Sequence, residues 1–177
     1  GAHACWLVYT SGTTGVPEAA RRSHAGVFLM MNAFSALGAA GARSRMYIPL
    51  PLYHTSGGIC AVGAVLTVGG TIILKRKFSA QSFWTDCKEY GATHFIYIGE
   101  LCRYLLNSAP HADERAHKLQ GAIGNGLRPE IWAAFQERFA IPRIWEFYGA
   151  TEGNVSLFNF DGRAGAVGRI PPLIKSK

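Results

Sequence analysis

The stretch 93-THFIYIGELCRYLLN-107 decides the fold. Its first half, 93-THFIYI-98, is β-branched and aromatic and too short for a helix, so it reads as a strand. Residues 100–107 then carry leucines at helical spacing, and Pro110 ends the helix they predict. A strand feeding directly into a helix is half of a parallel crossover unit. The same alternation runs in both directions from here. Downstream, 111–118 is polar and reads as a surface loop, and 119–123 as a strand. Pro129 sits at the first turn of a helix running to about 139, and 143-RIWEFY-148 is a further strand. Upstream, Ser79 opens a helix within 79-SAQSFWTDCKEYG-91, with Phe83, Trp84, Cys87 and Tyr90 on nearby faces and Gly91 as its stop. Before it come a strand at 71–74, a helix near 59–68 and a strand at 45–48 that Pro49 and Pro51 terminate. A helix over 25–37 capped by Ser23, and a strand at 5–10, complete the order. Short apolar strands alternating with helices predict an α/β fold: a layered, mostly parallel sheet flanked by helices.

Composition narrows the function classes. The chain is 177 residues long, 49% apolar and 16% charged, which suits one globular unit or part of one. The net charge of +7 comes from 18 Lys/Arg against 11 Asp/Glu, but the basic residues are scattered and form no long run. Nucleic-acid binding is therefore disfavoured, while anionic small ligands stay open. Cys5, Cys60, Cys87 and Cys102 have no zinc-site spacing and read as buried thiols of a reducing compartment. There is no secretory signal pattern, so the protein is not expected to be secreted. The uncharged stretch 57-GGICAVGAVLTVGGTIIL-74 is long enough to span a bilayer, yet five of its eighteen residues are glycine. A buried helix, a turn and a buried strand explain it better.

In parallel sheets, ligands bind beyond the carboxyl ends of strands. Three glycine- or hydroxyl-rich loops are predicted there: 11-SGTTG-15, 124-GNGLR-128 and 149-GATEGN-154. In the first, Gly12 and Gly15 let backbone N–H groups approach an anion, Thr10, Ser11, Thr13 and Thr14 supply hydroxyls, and a following helix would add its positive end. It is not a Walker A loop, because Val16, Pro17 and Glu18 stand where that motif has lysine. In the third, Tyr148 offers a face for a base, Thr151 a hydroxyl for a phosphate and Glu152 a hard oxygen for Mg²⁺.

The string 9-YTSGTTGVP-17 resembles the phosphate-loop signature of the acyl-adenylate-forming (AMP-dependent synthetase/ligase) superfamily, and 148-YGATEGN-154 and 165-GAVGR-169 resemble its next two motifs in order. More narrowly, 51-PLYHTSGG-58, 77-KFSAQSFWTDC-87, 98-IGELCRYLLN-107, 124-GNGLRPEIW-132 and 146-EFYGATEGN-154 look like the fatty acid transport protein, or very-long-chain acyl-CoA synthetase, branch. The resemblance implies that ATP, Mg²⁺, coenzyme A and a fatty acid are the ligands. A carboxylate attacks the α-phosphate of ATP to give an acyl-adenylate and pyrophosphate, and the CoA thiol then displaces AMP. By motif position, Thr10, Ser11, Gly12, Thr13, Thr14 and Gly15 would hold the phosphates. Tyr148, Gly149 and Ala150 would hold the adenine side. Thr151 and Glu152 would be catalytic, Glu152 as the Mg²⁺ ligand. Gly124, Asn125 and Gly126 would line the junction of nucleotide and acyl pockets, and Tyr53 and His54 the acyl tunnel. For His54 a core or capping role is the alternative reading, and for Asn125 a turn satisfying its own backbone.

The resemblance also sets the expected frame. Residues 1–177 would be the central part of the large N-terminal domain, without the small C-terminal domain, and inactive alone. The parent would sit in the cytoplasm or peripherally on the cytoplasmic face of a membrane, where ligation traps incoming fatty acid. A ligase for another acid (carnitine, aryl or sterol) and a non-catalytic nucleotide- or acyl-binding relic are the other readings. The relic reading rests on Glu18, which stands where the superfamily usually has lysine. That reversal would cost on the order of a few kcal/mol at an effective dielectric of ~20. Arg21 or Arg22, one helical turn on, would offset it.

Overall fold

The computed structural model describes residues 3–10, 18–150 and 156–169. Six strands form one sheet in the order β4-β3-β5-β6-β7-β8. They are β3 (Arg45–Ile48), β4 (Thr71–Leu74), β5 (His94–Ile98), β6 (Gly121–Asn125), β7 (Ile144–Gly149) and β8 (Ser156–Asn159). All neighbours pair parallel except β7 and β8. The helices are α1 (His24–Leu37), α2 (Val62–Leu66), α3 (Phe83–Glu89), α4 (Gly99–Asn107) and α5 (Pro129–Phe139). The mostly parallel α/β sheet expected from the alternation is thus present.

Strand register sorts the side chains into two faces. Tyr47, Phe95, Ala122 and Ile144 are successive cross-strand partners and so point to one side, and Phe147 points to the other. Phe83 of α3 packs edge-on against Tyr47 and Phe95, which places α3 on the first face. Trp84 of α3 stacks on Phe139 of α5, and α5 contacts α4. On the second face Phe34 of α1 meets Phe147 and Phe158, and α2 packs beside α1. The result is three layers around one buried apolar cluster.

Local chemistry explains most element ends. Ser23 caps α1, its hydroxyl accepting from the Gly26 N–H at 3.1 Å. Pro129 starts α5 where a missing N–H costs nothing. Asp86 ties α3 to the sheet: it accepts from the Tyr47 hydroxyl at 2.8 Å, from Lys75 at 3.0 Å and from the Ser82 hydroxyl at 3.1 Å. The loop at 111–118 carries structural load: Glu114 pairs with Arg138 at 2.9 Å, and Arg138 also donates to the carbonyls of Leu106 and Ser108.

Several expectations are corrected. The first strand, β1 (Ala4–Thr10), does not join the parallel sheet; it pairs antiparallel with β2 (Glu18–Ser23), a strand the sequence reading missed. No helix therefore follows the first loop directly. The helix near 59–68 begins earlier, as a π-helical turn at Ser56–Ala61 that continues into α2. The stretch at 71–74 is a strand but not a buried one: β4 is an edge, and Ile72 and Leu74 are exposed. The helix within 79–91 starts at Phe83, after a turn in which Ser79 accepts from the Ser82 N–H. The strand expected at 119–123 lies two residues later. Cys5 is exposed, whereas Cys60, Cys87 and Cys102 are buried thiols. Among the described residues no helix is long and apolar enough to cross a membrane.

Candidate functional site

Because β3, β5, β6 and β7 are parallel neighbours, their carboxyl ends fall in one row. The chain leaving β3 returns over this edge through 49–55 before entering the π-helical turn. Gly57 and Gly58 make that return tight: a Cβ on Gly57 would lie 2.4 Å from the Pro51 carbonyl oxygen, and one on Gly58 2.1 Å from that of Leu52. Only glycines let the turn close against 51–52. The π-helical winding belongs to the same local construction, and such turns recur at functional sites.

Under this return lies a cavity of about 460 Å³ lined by Leu50, Pro51, His54, Thr55, Ser56, Ile98 and Asn125. The structure thus brings together His54 and Asn125, which are 71 positions apart in sequence. Two polar atoms in its wall are buried without a hydrogen-bond partner among the described residues: Thr55 Oγ1 and Asn125 Oδ1. Buried polar atoms are nearly always paired, so these two, covered in this structure, are marked for a partner that a side-chain rotation toward the cavity would let them reach. Asn125 Oδ1 accepts no hydrogen bond from its own turn among the described residues. Thr55 was missed in the sequence. The signal for it was a hydroxyl beside His54 in a glycine-rich turn, which spacing alone does not separate from a cap.

Tyr53 lies elsewhere. Its ring is 71% exposed, packs at 4.5 Å on the His54 imidazole, and lines a neighbouring cavity of about 490 Å³ with Leu52, Leu74, Lys75 and Arg76. Gly124 is fully covered: its Cα faces the Tyr97 ring, where a Cβ would approach to 2.6 Å. It supports the turn after β6 rather than lining the cavity. Gly126 forms that turn with φ of +78°, and its carbonyl oxygen would stand 1.8 Å from a Cβ on Gly99. Tyr148, the penultimate residue of β7, has 60% of its surface exposed and offers its ring for stacking a planar group, and Gly149 and Ala150 follow it at the surface. Thr10 ends β1 opposite Glu18. Ser11, Gly12, Thr13, Thr14, Gly15, Thr151 and Glu152 lie outside the described residues.

The hairpin that carries the first loop is docked on this edge. Arg22, buried in β2, donates from Nη2 to the Ala150 carbonyl at 3.3 Å. Trp6 of β1 reaches the π-helical turn, its indole lying 2.8 Å from where a Gly58 Cβ would be. Since β2 is a strand, Arg21 and Arg22 point to opposite faces. Arg21 is exposed, and Arg22 is the one directed to the end of β7. The helical-turn relation expected between Glu18 and these arginines is therefore replaced by strand alternation.

Beneath the edge, Glu146 of β7 is 3% exposed. Its Oε1 accepts from the Leu127 N–H at 2.7 Å and the Tyr97 hydroxyl at 3.0 Å. Burial pushes its carboxyl above the ordinary range, and these two hydrogen bonds pull it partly back. The Tyr97 hydroxyl is held well above its ordinary value, first by burial and then by the Glu146 charge. Together the exposed tyrosine face, the orphaned polar atoms and the apolar cavity wall fit a ligand with an aromatic base and an apolar chain.

Residues 1–176 match the family model described as AMP-binding enzyme. The chain is 49% identical over 171 residues to long-chain fatty acid transport protein 3 of Mus musculus, covering 97% of this chain and 26% of that protein. It is 48% identical over 167 residues to long-chain fatty acid transport protein 1 of Homo sapiens, covering 92% and 25%. The chain thus spans about a quarter of the length of these relatives. Among solved structures it is similar to ATP-bound MatB from Rhodopseudomonas palustris, with a TM-score of 0.81 and 26% identity over 94% of this chain and 33% of that one. It shares its fold with a Mycobacterium tuberculosis fatty acyl CoA synthetase, with a TM-score of 0.80 at 20% identity over 96% of this chain and 34% of that one. On its motifs, its sheet and its match over nearly the whole chain, the protein belongs to the AMP-binding enzyme family.

Proposed function

We propose that this chain is the central part of the adenylation domain of an AMP-forming fatty acid–CoA ligase acting on long or very long chains. The observation that carries the reading is the cavity under His54 and Thr55, with Ile98 and Asn125 in its wall and Tyr148 exposed on the same sheet edge. It offers an apolar wall for an acyl chain beside a ring face for a nucleotide base. The names of the relatives, long-chain fatty acid transport proteins, support the substrate class, and an ATP-bound structural neighbour supports the nucleotide.

The reaction would join ATP and a fatty acid to an acyl-adenylate with release of pyrophosphate, and coenzyme A would then take the acyl group. Tyr148 would stack on the base, Asn125 would accept a hydrogen bond at the junction of nucleotide and acyl group, and Leu50, Pro51 and Ile98 would exclude water from the chain. Thr10 to Gly15 would hold the phosphates by backbone N–H and hydroxyl donors. Thr151 would contact the transferring phosphate, and Glu152 would hold Mg²⁺, which supplies charge neutralisation there. Such a site works by positioning and electrostatics, without a covalent enzyme intermediate. Product trapping as the CoA ester would link the activity to fatty acid uptake at the cytoplasmic face of a membrane.

The test is fatty-acid-dependent exchange of pyrophosphate into ATP by the full-length parent. Exchange with long-chain acids supports the reading. Exchange only with carnitine, aryl or sterol acids moves the substrate class, and ATP binding without exchange leaves the binding relic.

A further inference from the structure

The sequence 143-RIWEFY-148 holds one acid, buried with Ile144, Trp145 and Phe147 around it, and the structure gives that acid a task. Leu127 is the second residue before α5, so its N–H precedes the helix and has no helical carbonyl to reach. It is 3% exposed, and an unpaired amide there would be costly. Glu146 Oε1 is its acceptor, at 2.7 Å. The same oxygen takes the Tyr97 hydroxyl from β5, so β5, β7 and the turn after β6 meet at one atom. Directly before Leu127 lies the Asn125–Gly126 turn, seated on Gly99 with no room for a Cβ beneath it. Asn125 carries the orphaned Oδ1 in the cavity wall.

The geometry points to Glu146 as a positioning residue: it fixes the turn after β6 at the height where Asn125 lines the cavity, by accepting the Leu127 N–H. Its contribution is a hydrogen-bond acceptor, not a negative charge. A glutamine has the same carbonyl oxygen at the same reach. The functional consequence rests on the nucleotide and acyl reading of the cavity; the positioning itself does not.

The experiment compares wild-type full-length parent with Glu146→Gln, Glu146→Met and Tyr97→Phe, using two readouts. The first is amide hydrogen exchange over 125–128 without ligand. The second is KM and kcat for ATP in pyrophosphate exchange, at temperatures where circular dichroism shows each variant folded. Glu146→Gln should keep wild-type protection and KM within about twofold. Glu146→Met should lose protection at Leu127 and raise the KM for ATP about tenfold, with kcat changed less. Tyr97→Phe, which keeps the Leu127 bond, should behave like Glu146→Gln. Wild-type protection and KM in Glu146→Met overturn the proposal, as does a Tyr97→Phe loss equal to that of Glu146→Met. If Glu146→Met does not fold, a raised KM in Glu146→Gln overturns it and an unchanged one supports it. Absence of exchange activity in the wild type defeats the ligase reading, and amide protection still decides the role of Glu146.

Discussion

Replacing Thr55 by valine removes one hydroxyl and keeps the shape. Both residues are β-branched, so the helical backbone at 55 (φ −51°, ψ −42°) restricts them alike. The hydroxyl oxygen is buried with no partner among the described residues. Burying an unpaired hydroxyl costs about 1–3 kcal/mol on the scale of protein mutations. Removing it should stabilise the ligand-free protein by about 1 kcal/mol, the low end of that range. In the full-length protein, about four times this length, that is a rise in Tm of roughly 1 °C. The ligand-bound state should move the other way, because a hydrogen bond to the ligand contributes about 0.5–1.5 kcal/mol, a two- to tenfold change in affinity. The assay pairs calorimetric melting of the empty full-length protein with titration of ATP and of a long-chain acyl-adenylate analogue. A structural hydroxyl would give the reverse pattern, lower Tm and unchanged affinity. Loss of about 1 kcal/mol or more of stability would refute the reasoning, since Thr55 Oγ1 would then have a partner in the empty site.

Three further outcomes are expected. Asp86→Ala removes the shared acceptor of Tyr47, Lys75 and Ser82, and should cost about 2–4 kcal/mol by urea denaturation; a cost below about 1 kcal/mol would mean the cluster contributes little. Glu18→Lys should tighten ATP binding several-fold in the parent protein, a few tenths to about 1 kcal/mol for an exposed charge, and no change by calorimetric titration would release Glu18 from any role. His94 is 1% exposed, donates from Nε2 to the Gly38 carbonyl at 3.0 Å, and accepts the Thr93 hydroxyl at Nδ1, so it is held neutral. Burial lowers its pKa, only partly offset by the Gly38 bond. Its contribution to stability is therefore complete above the ordinary histidine value of about 6.5 and is lost as pH falls through the lower folded value. An NMR titration of the His94 ring with a midpoint at or above about 6.5 would contradict this.

Residues whose partners are close in sequence were legible. Ser23 and Gly26, Pro129 at a helix start, and the run Thr71–Leu74 all signal through their own chemistry. What was missed needs a distant partner. The strand Glu18–Ser23 reads EAARRS, with no apolar alternation, and becomes a strand only because Thr10 through Ala4 pair with it. The placement of Tyr53 outside the cavity follows from how Gly57 and Gly58 pack on the 51–52 carbonyls, which no spacing rule contains. Glu146 looked like one acid among apolar residues, and its role depends on an N–H nineteen positions away. The carboxyl-edge rule for parallel sheets did point to the loops after β6 and β7, because parallel pairing puts those strand ends on one edge, whereas His54 was indicated only by the resemblance.

The contact between Arg22 and the Ala150 carbonyl joins residues 128 positions apart. Chain closure over that span carries an entropy cost that short turns do not, and contacts of such separation form late. The main sheet builds from neighbours in sequence, β5 to β6 to β7, while the hairpin must wait for the end of β7 to exist. During synthesis, then, the hairpin would emerge before β7 and yet dock after it. A variant that weakens this clasp should slow refolding of the hairpin while leaving the sheet's own folding rate nearly unchanged.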